Sequence, residues 1–167
     1  MRMRKIRKVT FILMSVWFVF VVLFACTKSK IERNPYLPES RFSYTVNLNL
    51  PVYNSLKYPQ NTIYISEIGL KGVFVTHVSN NRYVAWEAAC PNQYPSACDR
   101  LYCASKEGER FQICTNNSNA YIFVICPCDG SVYNLVNGSV MVASSERSYP
   151  LLNYNVSVSG NQITVSN

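Results

Sequence analysis

Histidine is almost missing from this sequence: His77 is the only one in 167 residues. Any zinc site that relies on two imidazoles is therefore excluded, although a site of four thiolates is not. Charge is also scarce, at 15% of residues, and unevenly placed. The chain holds 16 Lys and Arg, and five of them (Arg2, Arg4, Lys5, Arg7, Lys8) fall in the first eight residues. From residue 26 onward there are 11 cations against 9 anions, so no basic stripe remains to neutralise phosphates and no nucleic-acid partner is expected. There is no internal repeat and no sustained 3.6-residue apolar period, which removes helical bundles and solenoids. Neither a nucleophile elbow, nor a phosphate-binding loop, nor a recognisable carboxylate pair occurs, so the chain is not expected to be an enzyme. The length allows one domain with a tail.

What is present begins with an address. Met1 to Lys8 is basic, and Val9 to Ala25 is uncharged and almost wholly apolar. Leu23-Phe24-Ala25-Cys26 follows, and it resembles the lipobox of bacterial lipoproteins. That resemblance implies a signal peptide over 1–25, diacylglycerol on the Cys26 thiol and cleavage after the small Ala25. The competing reading, an uncleaved anchor, makes a short span of 17 residues and leaves Cys26 unexplained. Lipidation predicts attachment to a membrane in the bacterial cell envelope, at the outer membrane facing the periplasm, with envelope proteins as possible partners.

Residues 26–40 are polar with Pro35 and Pro38, and read as a tether. From residue 41 the pattern changes to period 2. Phe42, Tyr44, Val46, Leu48 and Leu50 alternate with polar residues, predicting a half-buried strand. Pro51 and Pro59 bracket a loop. Further strands are predicted over 61–66, 72–79 and 82–88, the last two joined by a tight turn at Asn80-Asn81. The apolar run 120–125 suits a strand buried on both faces. Hairpins are predicted around Asn137-Gly138, between 131–135 and 139–143, and around Gly160-Asn161, between 156–159 and 162–166. Trp86 and the tyrosines read as core and sheet-face residues, and His77 as an ordinary strand residue. The fold class is all-β, a small antiparallel barrel or sandwich spanning 41–167.

Seven cysteines occur, and if Cys26 carries lipid six remain: Cys90, Cys98, Cys103, Cys114, Cys126 and Cys128. In an oxidising compartment an even count predicts three disulfides, with 15 pairings open, and the clustering over 90–128 leaves a metal or cluster site as the other reading.

Two elements then carry a resemblance. Cys90-Pro91-Asn92 follows the apolar strand YVAWEAA, and Cys126-Pro127-Cys128-Asp129-Gly130-Ser131 follows AYIFVI. With the trailing hairpins, the stretch from about Tyr83 to Val165 resembles the Rieske domain, in which Cys-x-His in one loop and Cys-x-x-His in the next hold a [2Fe-2S] cluster. The resemblance implies a Rieske-like sandwich with an inserted Cys-rich loop region, 90–131. A competing register places Cys98-x-Arg100-x-x-Cys103 on the first motif; Cys90 is preferred because it directly follows the aromatic strand. The NPYLP segment and the Pro- and Asn-rich first loop are also similar to exported Rieske-like proteins of Bacteroidetes.

The departures from the family decide the expected function. Asn92 and Asp129 stand where the imidazoles belong, so two-His ligation by this chain is impossible. The n-region has no adjacent Arg pair, whereas exported Rieske proteins generally cross the membrane folded by the twin-arginine route. Without the cluster, the family geometry implies that Cys90 and Cys126, which normally grip one iron, form a disulfide. It further implies Cys98 with Cys128 at the family's structural-disulfide position, and Cys103 with Cys114 across an inserted hairpin. Asp129 and Asn92 read first as loop-capping residues. The expected function is a cluster-free binding or assembly module without a cofactor. The alternative is an electron carrier with an unusual [2Fe-2S] cluster held by Cys90, Cys126 and Asp129, with Asn92 or another group completing it.

Overall fold

The computed structural model describes residues 34–116 and 118–167. The expected signal peptide, Cys26 and the first part of the expected tether lie outside the described residues. Among the described residues eleven strands form: β1 (Ser43–Asn47), β2 (Thr62–Ile65), β3 (Val73–Ser79), β4 (Arg82–Glu87), β5 (Tyr102–Glu107), β6 (Arg110–Ile113), β7 (Phe123–Ile125), β8 (Val132–Asn134), β9 (Val140–Val142), β10 (Asn153–Ser159) and β11 (Gln162–Ser166). They make two antiparallel sheets, one ordered β1-β11-β10-β4-β3-β2 and the other β6-β5-β7-β8-β9. The class is all-β, as the sequence predicts, and the second sheet contains the Cys-rich insertion as its β5–β6 edge hairpin.

Period-2 patterning sets the register. Tyr44 and Val46 of β1 stand opposite Val165 and Ile163 of β11, which in turn face Val156 and Val158 of β10. One face of this ribbon is apolar and the other carries Ser, Thr and Asn. β3 and β4 differ, because both of their faces are covered. Val73, Val75, Tyr83 and Ala85 enter a first core with Val46, Ile163 and Tyr154. Phe74, Trp86 and Ala88, on the opposite face, enter a second core with Val124, Tyr133 and the sulfurs of Cys90, Cys98 and Cys126. The β3–β4 hairpin is thus the shared wall of two cores. Its turn is made by Asn80 and Asn81 at φ 46° and 61°, the left-handed pair that a two-residue hairpin loop requires.

Three local expectations are corrected. The strand predicted to run to Leu50 ends at Asn47, whose side chain accepts the Asn49 N–H at 3.0 Å and turns the chain. Leu48 stays buried, whereas Leu50 is exposed. The bracketed loop contains a 3-10 helix, Pro51–Lys57, begun by a proline that needs no donor and anchored by buried Leu56. The run 120–125 is a three-residue strand with only Val124 fully covered; Phe123 meets Phe111 of the inserted hairpin edge-on instead of entering a core.

Residues 34–37, at the end of the segment read as a tether, lie against the domain. Asn34 donates to the Pro91 carbonyl at 2.8 Å, Leu37 is buried, and the Tyr36 ring packs edge-on against Tyr94 and Tyr149.

Trp86 is a core residue with a specific seat. Its indole N–H donates to the Leu135 carbonyl at 2.7 Å, and its ring covers Gly138 in the β8–β9 connection. Gly138 has φ 73°, and a Cβ there would lie 2.5 Å from the ring. Gly160, at φ 55°, faces open space. Gly160→Ala should therefore cost about 1 kcal/mol, for backbone strain alone. Gly138→Ala should cost at least about 1 kcal/mol more, because Trp86 must also move. Urea midpoints at unchanged slope measure the difference; equal shifts would show that the indole yields freely.

Candidate functional site

The site grows from the end of β4. Glu87, fully buried, accepts hydrogen bonds from the backbone N–H groups of Leu70 (2.7 Å), Lys71 (2.9 Å) and Ala89 (2.9 Å), and from the Tyr154 hydroxyl (2.6 Å). The Ala89 bond fixes the chain just before Cys90. The first loop then leaves and returns at Arg100, which bridges to Ala89, while the Leu101 N–H donates to the Ala88 carbonyl at 2.7 Å. Asp99, near the loop's end, accepts from the Tyr102 hydroxyl and the Arg100 N–H, and these bonds lower its pKa from the ordinary value, the Tyr102 bond most.

The second loop is closed by its own backbone. The Cys126 N–H donates to Ser131 O at 2.9 Å and the Gly130 N–H to Cys126 O at 3.0 Å. Asp129 accepts the Ser131 N–H at 2.8 Å, the side-chain cap that its place in a turn predicts.

The two loops meet through sulfur and through a polar contact. Cys90 bonds Cys126 with Cα atoms 5.7 Å apart, and Cys98 bonds Cys128 at 6.1 Å; Cys103 bonds Cys114 at 5.5 Å across the β5–β6 hairpin. These are the pairs that the resemblance implies. Cys90, Cys98 and Cys126 are buried, whereas Cys128 is exposed. The Cys98 sulfur lies 3.4 Å from that of Cys90 and 3.8 Å from that of Cys126. Beside them, the Asn92 amide donates to Asp129 Oδ2 at 3.5 Å and to the Tyr133 hydroxyl at 3.2 Å, and accepts the Tyr149 N–H at 2.9 Å. Burial, above all, pushes Tyr133 up to about 12.

The competing register is not assembled, since Cys98 and Cys103 have separate partners and Cys103 sits within β5. His77 is a buried β3 residue stacked on Tyr83, with ring centroids 4.5 Å apart. It lies toward the turn end of the β3–β4 hairpin, whereas Cys90 follows the opposite end.

A two-His [2Fe-2S] cluster does not fit this donor set. The two thiols that would hold one iron are bonded to each other. The residues at the imidazole positions are both engaged, Asn92 in three hydrogen bonds and Asp129 in capping its own loop. Sequence reasoning missed Glu87 and the edge-on contacts of Tyr36 with Tyr94 and Tyr149. A lone carboxylate in the apolar run YVAWEAA was the available signal for the first.

No family model and no curated protein matches the chain. Among solved structures it is similar to a chain from the complex of reduced oxygenase and oxidized ferredoxin in carbazole 1,9a-dioxygenase. That likeness has 18% identity and a TM-score of 0.36, covering 65% of this chain and 82% of that one. It is also similar to a Mycobacterium tuberculosis protein assigned as an NADH-dependent nitrite reductase small subunit. There the identity is 13% and the TM-score 0.40, covering 77% of this chain and 97% of the other.

The three disulfides differ in what they hold. Cys90–Cys126 and Cys98–Cys128 close separations of 36 and 30 residues, and Cys103–Cys114 closes 11. By the chain-entropy model the long closures are each worth about 4 kcal/mol and the short one about 3. Cys103→Ser with Cys114→Ser should therefore be the best tolerated pair of changes, and Cys90→Ser with Cys126→Ser the worst, since the latter also alters the second core. Melting temperatures of the paired variants check the order. Non-reducing peptide mapping checks the pairs, and free thiols at Cys90 and Cys126 in exported protein would overturn them.

Proposed function

We propose that the chain is a lipid-anchored envelope protein whose Rieske-like domain has given up cluster binding and serves as a binding or assembly module, without enzymatic activity. The observation that carries this reading is the loop junction. Two cysteines, an amide and a carboxylate occupy the four positions of the cluster motif, and they bond to one another: Cys90 to Cys126, and Asn92 to Asp129. The likeness to the Rieske domain rests on the residues of the two loops.

The electron-carrier alternative would require reducing the Cys90–Cys126 bond and turning Asp129 Oδ2, which the Asn92 amide faces at 3.5 Å, to the iron. Anchoring is supported by the basic n-region, the uncharged 9–25 stretch and Leu23-Phe24-Ala25-Cys26. Among the described residues no helix is long and apolar enough to cross a membrane.

Two measurements test this function. Protein isolated from its native envelope should be colourless and free of stoichiometric iron; iron together with an axial paramagnetic signal after reduction would establish the electron carrier instead. Cys26→Ser should accumulate as an unprocessed precursor. Unchanged processing and membrane retention would identify a plain signal anchor.

A further inference from the structure

We propose that Cys90, Cys98, Cys126 and Cys128, once reduced, form a four-thiolate site for one soft divalent cation of the zinc class. The inference is independent of the cluster-free reading above, which concerns iron in the oxidised protein.

The sulfur positions carry it. The Sγ atoms of Cys90, Cys98 and Cys126 all lie within 4.8 Å of one another, and all three residues are buried. Two thiolates on one tetrahedral ion, with bonds of about 2.3 Å, sit roughly 3.8 Å apart. The Cys98 sulfur is already 3.4 Å from Cys90 and 3.8 Å from Cys126. The bonded pairs Cys90–Cys126 and Cys98–Cys128 must both open to that spacing, and cutting the two bonds allows it. Cys128, the bonded partner of Cys98, supplies the fourth thiolate from the solvent side, where reductant and ion can enter.

Backbone bonds also hold the two loops, independently of the disulfides. The Ala89–Arg100 bridge and the Leu101 N–H to Ala88 bond hold the first, and the Cys126–Ser131 and Gly130–Cys126 backbone bonds hold the second.

The same distances argue against a thiol relay. A thiolate displacing a disulfide sulfur attacks along the S–S axis, so it lies about 2 Å farther from the leaving sulfur than from the one attacked. Cys98 is nearly equidistant from Cys90 and Cys126, beside their bond. The arrangement suits convergence on an ion.

Electrons and protons balance simply. Each disulfide takes two electrons and two protons from a dithiol, which itself becomes a disulfide, and yields two thiols. Binding of the ion then releases the four thiol protons.

The test uses the full chain in detergent, reduced with a phosphine, which water converts to the phosphine oxide, and titrated anaerobically with cobalt(II). The expected result is a single equivalent bound with the intense visible absorption of a tetrahedral thiolate complex, displaced by zinc. Cys98→Ser should weaken binding by about tenfold or more. The Cys103→Ser, Cys114→Ser double variant should bind as the parent does. If reduction unfolds the chain, zinc should restore its near-ultraviolet circular dichroism, as metal-coupled folding requires. The proposal fails if no tetrahedral complex of one ion forms, if Cys98→Ser binds normally, if the double variant loses binding, or if the unreduced protein binds equally well.

Discussion

The Glu87 carboxylate is fully buried, and burying a charge is tolerated only when hydrogen bonds replace the lost water. Four donors do so here, and they come from three separate parts of the chain: the turn at 70–71, the start of the Cys90 loop, and Tyr154 of β10. Burial first, and the neighbouring Glu87 second, hold the Tyr154 hydroxyl well above the usual tyrosine range, so it stays a donor. Gly69 is confined by the same group, since a Cβ there would come within 2.6 Å of the carboxylate. The path of the chain into Cys90, and with it the meeting of the two cysteine loops, depends on this one satisfied charge.

The β3–β4 hairpin distributes that constraint. Its odd-numbered residues build one core and its even-numbered residues the other, so a shift of one residue would exchange the two sets. Sulfur belongs to the second core: Cys90, Cys98 and Cys126 pack with Phe74, Trp86 and Tyr133. The cysteine junction is therefore an interior feature with one exposed corner at Cys128, and its chemistry and the stability of the second sheet are linked.

What was legible in the sequence was local. Alternation marked the apolar face of β1, and Asn80-Asn81, Asn137-Gly138 and Gly160-Asn161 marked turns because few other residues enter positive φ cheaply. The cysteine pairings were not readable from count or spacing; they followed from a resemblance of two short loops. What escaped was non-local. Three of the four donors to Glu87 lie 16 and 17 residues before it and 67 after, and Asn92 finds Tyr149 57 residues away. The 3-10 helix was hidden because a short turn of helix gives no periodic signal, and the burial of Leu37 because a polar, proline-containing segment reads as solvated.

The inserted hairpin has a consequence for the order in which the protein matures. Cys103 and Cys114 are brought together by neighbouring strands turning at Gly108, with φ 60°, and the loop they close is the shortest of the three. Its ends meet at the smallest entropic cost, which favours its closing ahead of the others. Six free thiols admit 15 pairings, but four admit only 3. An apparently peripheral staple thus removes most of the wrong connectivities before the two long-range bonds, which depend on the assembled sheets, have to choose their partners.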